Sequence, residues 1–161
     1  MSFKTNLLVD LSTDEFILIG IYSLYEDYRL AFFLNQLLNW HFERCFLDLD
    51  ISFKDHVAKF PIFKSTSNEG KVSIYLISNQ INKAVKTKVA NSLFEEDFES
   101  TSLVRFLPEF KDFNYIIKIE DDRDRIAVNS IIKKINTTNL DITAVIIPNE
   151  QLKSKSHLVI N

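Results

Sequence analysis

Two aspartates, Asp48 and Asp50, sit in a stretch where apolar and polar residues alternate. Side chains two apart on a β-strand share a face, so the two carboxylates would be neighbours. Paired carboxylates can hold a divalent cation or divide acid and base roles. The simpler reading is two solvated acids on the outer side of a strand. His41 and Cys45 are spaced to share a helix face. A zinc site takes about four ligands, and His56 and His157 complete no recognisable ligand spacing, so no metal site is expected. Cys45 falls on the apolar side of its alternating stretch, where a thiol is normally inert. No Gly-x-Ser-x-Gly elbow is present, which excludes a serine hydrolase of that type.

The run Glu120-Asp121-Asp122-Arg123-Asp124-Arg125 could meet a basic partner or a metal. A helix start accounts for most of its acids, because negative charge is favourable at the positive end of the helix dipole. Lys83, Lys86 and Lys88 could form a weak anion patch, although a solvated helix face explains them as well. Tyr25, Tyr28 and Arg29 lie beside a predicted helix start, where free N–H groups can receive an anion. Ser23 and Glu26 have the spacing of a capping box and would already occupy those donors. Tyr28 and Arg29, with Glu109, remain the candidate binding residues. No catalytic set and no cofactor site is expected.

The stretch Leu107-Pro108-Glu109-Phe110-Lys111-Asp112-Phe113-Asn114-Tyr115 resembles the defining motif of the IPExxxVDY family. Pro108, Glu109 and Tyr115 match it, while Leu107, Phe113 and Asn114 stand for Ile, Val and Asp. Asp27-Tyr28-Arg29-Leu30 and Leu34-Asn35 also look like that family. The resemblance implies a small cytoplasmic bacterial protein, of the kind typical of the Bacteroidetes, with no assigned activity. Asn114 is informative, since an amide cannot exchange a proton near neutral pH. The motif therefore reads as a packing device. Pro108 would set the entry angle into a strand. Glu109 would accept backbone N–H bonds or pair with Arg29 or Arg125. Tyr115 would be a core residue with its hydroxyl satisfied at the edge.

These residues must be held by a fold, and the pattern is that of one α+β domain over 1–161. Phe3–Leu11 reads as a weak strand and Ser12–Glu15 as a turn. Phe16–Tyr22 is apolar enough for a strand covered on both faces. Leu30, Phe33, Leu34, Leu37 and Leu38 form a helical stripe that ends near Asn39–Trp40. Cys45 to Phe53 alternates as one strand, with only Phe46 breaking the rule. Lys59–Lys64 and Lys71–Ser78 read as a hairpin around Ser65–Gly70. The segment 79–100 is equally a helix carrying Ile81, Val85 and Val89 or a polar, partly mobile excursion. Phe113–Ile119 is a strand, Asp121 caps the next helix with Asp124 in its first turn, and Val128, Ile131, Ile132 and Ile135 are its stripe. Asp141–Pro148 is a last apolar strand, followed by a polar tail. Two strand–cap–helix units of one plan, with a hairpin between, predict a two-layer sandwich. Its sheet would be mixed or antiparallel with both helices on one face, of ferredoxin-like flavour.

Composition narrows function mainly by exclusion. A net charge of −3 argues against a nucleic-acid binder. No apolar run approaches the roughly 20 residues of a membrane span, no leader segment is read, and the single cysteine suits the cytoplasm. Two distant glycines, Gly20 and Gly70, cannot build a phosphate loop. The leading expectation is a non-enzymatic domain that binds a protein or itself. Fourteen phenylalanines support it, being more bulk than a core of this size readily buries. The alternatives are a small-molecule-binding regulatory domain and an enzyme using Glu109 with Asp48 or Asp50.

Overall fold

The computed structural model describes residues 16–67, 69–87, 98–121, 123 and 125–160. The expected strand at Phe3–Leu11 and turn at Ser12–Glu15 lie outside the described residues, as does Asp124. The chain runs β1 (Phe16–Ser23), α1 (Asp27–Leu38), β2 (Glu43–Arg44), β3 (Leu49–Ser52), β4 (Val57–Phe60), β5 (Ile62–Ser67), β6 (Val72–Ser78) and β7 (Gln80–Thr87). It continues with β8 (Phe98–Arg105), β9 (Tyr115–Glu120), α2 (Val128–Asn136) and β10 (Ile142–Ile147).

Six strands form one sheet in the order β10-β1-β9-β6-β5-β2, and every neighbouring pair is antiparallel. Reduced to β1, α1, β6, β9, α2 and β10, the connectivity is a split β-α-β arrangement in which β9 lies between β1 and β6. The expected α+β sandwich is therefore present. Both helices pack on one face: Leu30, Ala31 and Leu34 of α1 and Ile131 and Ile135 of α2 share a core with Ile19, Ile21, Ile117 and Ile119. The other face is covered as well. Ile51 and Phe60 of the β3–β4 hairpin, Phe106, and Leu152 and Leu158 of the tail close over Leu18, Ile77 and Ile116.

Four local expectations are corrected. Ser23 does not cap α1. It ends β1, its N–H donates to Asn114 Oδ1 (2.9 Å), and its hydroxyl accepts from the Tyr25 N–H (3.2 Å). Glu26 takes the cap position without a side-chain cap bond. Asp121 likewise binds the loop rather than the helix: it accepts from the N–H groups of Arg123 (3.2 Å) and Ile126 (2.7 Å), and α2 starts only at Val128. The expected strand over Cys45–Phe53 is cut back to β3, Leu49–Ser52: Cys45 lies just past β2 of the large sheet, and a bend at Phe46–Leu47, whose side chains are exposed, separates the two sheets. The alternating pattern ran straight through that bend. Finally, the described part of 79–100 belongs to a β-hairpin, β7–β8. Ile81 and Val85 are four apart, which places them together on a strand as well as on a helix, so periodicity alone did not separate the two.

Candidate functional site

The loop between β8 and β9 is the motif, and one buried asparagine organises it. Asn79 is wholly buried. Its Oδ1 accepts from the Leu107 N–H (2.8 Å), and its Nδ2 donates to the carbonyls of Phe110 (2.9 Å) and Phe113 (2.8 Å). Its backbone N–H donates to the Asn114 carbonyl, and its carbonyl accepts from the Phe106 N–H. A loop this buried needs such partners, because an unpaired buried polar group is costly. Sequence reasoning missed Asn79. The available signal was the polar Ser78-Asn79-Gln80 at the end of a largely buried strand.

Pro108 opens a short 3-10 turn, Pro108–Phe110, so it turns the chain within the loop rather than delivering it straight into β9. Glu109 does not pair with Arg29 or Arg125. Its Oε1 accepts from the N–H groups of Lys153 (2.8 Å) and Ser154 (2.7 Å), and its Oε2 accepts from the Ser154 hydroxyl (3.0 Å). Burial alone would raise its pKa. Hydrogen bonds from its own backbone, Ser154 and Lys153 outweigh that and hold it below its usual value. Arg125 instead faces Asp121 at 3.5 Å.

Tyr115 serves the opposite core. It is buried among the helix-side residues, and its hydroxyl donates to the Tyr25 carbonyl (2.6 Å). Burial, with Asp27 and Glu26 nearby, pushes its phenol up to about 12. Asn114 lies between, accepting from Ser23 and donating its backbone N–H to the Ile21 carbonyl (2.9 Å). Phe113 covers β1 at Gly20, where an added Cβ would fall 2.5 Å from its ring.

Beside Tyr115 is a cavity of about 230 Å3 lined by Ser23, Leu24, Tyr25, Glu26, Ser78, Gln80, Asn114 and Tyr115. From its rim an apolar ridge runs from the loop before α1 onto the helix. Leu24 is 90% exposed, Tyr28 62% and Phe32 54%. Tyr28 and Phe32 are four apart and so lie on one helix face. Arg29 stands over the rings of Tyr25 (5.3 Å) and Phe33 (5.7 Å), at cation–π distance. The Glu26 carboxylate beside the exposed Tyr28 phenol raises its pKa. Tyr28, Arg29 and Tyr115 thus come near one rim, whereas Glu109 is turned to the tail.

The other candidates separate. Asp48 lies between the bend and β3 and pairs with Arg44, while Asp50 is on β3, 3.9 Å from Lys59. They do not share a strand face. His41 and Cys45 flank β2 instead of sharing a helix, and line an open hollow of about 370 Å3 with Glu43, Arg44, Lys64 and Thr66. Among the described residues no group of three or more His, Cys, Asp or Glu could hold a metal ion. No described helix is long and apolar enough to cross a membrane.

No protein-family model, curated protein or solved structure matches the chain.

Proposed function

We propose that this chain is a non-enzymatic, cytoplasmic protein-interaction domain that binds its partner along the α1 ridge. The observation that carries the reading is the exposure of Tyr28 and Phe32 on a helix whose other side is already buried by Leu30, Ala31 and Leu34, with exposed Leu24 in the loop just before it. A helix needs one apolar face to fold onto a core. This one has a second apolar line, with Tyr and Arg, the residue types that dominate interface energetics. The cavity at the foot of the ridge can receive one anchoring side chain. Glu26 and Asp27 stand at that end and the chain carries −3 overall. The fitting partner therefore presents an apolar segment with a basic residue at one end. Phe46 and Leu47 are also exposed, but they are adjacent residues on a bend and line neither cavity.

The resemblance of Leu107–Tyr115 to the IPExxxVDY motif supports membership of that family. The bonds made by Glu109, Asn114 and Tyr115 supply a physical reason for such a motif, namely joining loop, tail and helix start. The lone cysteine supports the cytoplasmic assignment, and the net charge supports a partner other than nucleic acid.

Site-specific photo-crosslinking in the native host tests the reading. A crosslinker replacing Phe32 should capture one defined protein, and Tyr28→Ala should abolish the capture. Equal capture from a crosslinker at exposed Lys134 on α2 would contradict it.

One observation favours a second reading, a small-molecule-binding domain: Ser78, a polar residue only 7% exposed, lines the cavity. A metabolite panel read by thermal shift tests this. A ligand at 100 times its dissociation constant adds about 2.7 kcal/mol, and no shift with any compound would remove the reading.

A further inference from the structure

We propose that the outer edge of β10 is a latent interface for a second copy of this chain, held shut by the side chain of Asn136. β10 is the last strand of the sheet, and among the described residues no strand pairs with its outer side. Its sequence, Ile142-Thr143-Ala144-Val145-Ile146-Ile147, has no charge and no proline, the usual protections of an edge. Val145 is 47% exposed and Ile146 42%. Tyr22, opposite Thr143 on β1, is exposed too and extends the apolar surface.

The centre of this edge is nevertheless closed. The Ala144 N–H donates to Asn136 Oδ1 (2.7 Å), and Asn136 Nδ2 donates to the Ala144 carbonyl (2.9 Å). One carboxamide thus makes both bonds that a residue of a neighbouring strand would make. Asn136 is the last residue of α2, so the helix end aims the amide at the strand that follows it. Backbone groups of an antiparallel strand point alternately to its two sides. With Ala144 facing outward, Ile142 and Ile146 face outward also. The Ile142 N–H is taken by the Leu140 carbonyl (2.8 Å). Ile146 has no outward partner among the described residues.

The strand is self-complementary. Around a two-fold axis through Ala144, Ile142 lies opposite the second copy's Ile146 and Thr143 opposite its Val145. Partners of equal parity keep the helices of both copies on one side of a continuous sheet. No charge opposes another along the contact. The occupant this edge fits is therefore another β10. Pairing requires the Asn136 amide to swing away from Ala144, which makes the contact autoinhibitory.

Light scattering on the full chain tests the latch. Asn136→Ala should form a two-fold dimer with a dissociation constant about tenfold or more tighter than that of the wild type. Asn136 is exposed, so its truncation leaves the core in place. Adding Ile146→Lys to Asn136→Ala should restore wild-type behaviour, because a lysine on the edge opposes strand pairing. Hydrogen exchange gives a second readout. In the wild type the Ala144 amide should be protected and the Ile146 amide should exchange freely, while the Asn136→Ala dimer should protect both. A folded Asn136→Ala variant that associates no more than wild type would overturn the proposal. So would dimers that survive Ile146→Lys, or a wild type that already protects Ile146.

Discussion

At the scale of single residues, the functional-looking positions of the motif turn out to be joints. Glu109 is the clearest case, since both carboxylate oxygens hold the Lys153–Ser154 turn of the tail. Its pKa is depressed on folding, so its contribution is present above the usual carboxylate value of 4.5 and is lost as pH falls through the lower folded value. Denaturant titrations at pH 7 and pH 3 should show Glu109→Gln losing about 1–3 kcal/mol at pH 7, with the gap narrowing in acid. A gap unchanged with pH would mean the carboxylate charge contributes nothing. Asn79→Ala should cost about 3 kcal/mol, because it leaves the Leu107 N–H and two carbonyls without partners in a buried loop. Gly20→Ala should cost about 1–3 kcal/mol by forcing the Phe113 ring off β1, and Phe113→Ala in the same chain should relieve part of that overpacking. These roles were only half legible. Asn114 reads as unable to do acid–base work, while Glu109 reads equally as an acceptor of N–H bonds or as a partner of Arg29 or Arg125. Its partners lie more than forty residues away, and no local pattern reports contacts at that range.

At the scale of elements, the sequence was readable wherever one face had to be buried. β1, β9, α2 and β10 were all anticipated from apolar runs or a helical stripe. Legibility failed where a pattern satisfies two structures or crosses a bend. Ile81 and Val85 fit both helix and strand, and Cys45–Phe53 alternates on either side of a kink. Helix starts were also misplaced, because Ser23 and Asp121 bind loop N–H groups instead of the first turn. The β7–β8 hairpin invites a measurement. Among the described residues its two strands pair only with each other, and a two-stranded hairpin is marginal in water. Its Gln80–Arg105 end adjoins Asn79 and Phe106, which are bonded into the loop below. Amides near Lys83 and Ser102 should therefore exchange much faster than those of β9, with protection rising toward Gln80 and Arg105. Uniform protection along the hairpin would show that something else covers it.

At the scale of the whole molecule, one sheet carries two cores, and the motif joins them. Tyr115 fastens β9 to the start of α1 on one face, and Glu109 fastens the tail on the other. Lys118 helps from within β9: buried beside Phe16 and Tyr75, it donates to the Leu158 carbonyl (2.8 Å) and pairs with Glu120. The α+β sandwich was legible because strand and helix periodicities are local. The third layer was not, since the tail reads as polar, Leu152 stands alone among polar residues and the apolar run at Leu158–Ile160 is only three residues long. After both cores are filled, the ridge on α1 remains as apolar surface beside a cavity, and the proposed function rests on it. The most direct test is a binding isotherm between the purified chain and the protein captured at Phe32. Tyr28→Ala with Phe32→Ala should weaken binding by about 2–4 kcal/mol, roughly 30- to 1,000-fold, with the thermal midpoint of the domain nearly unchanged. Wild-type affinity in that double variant would contradict the account.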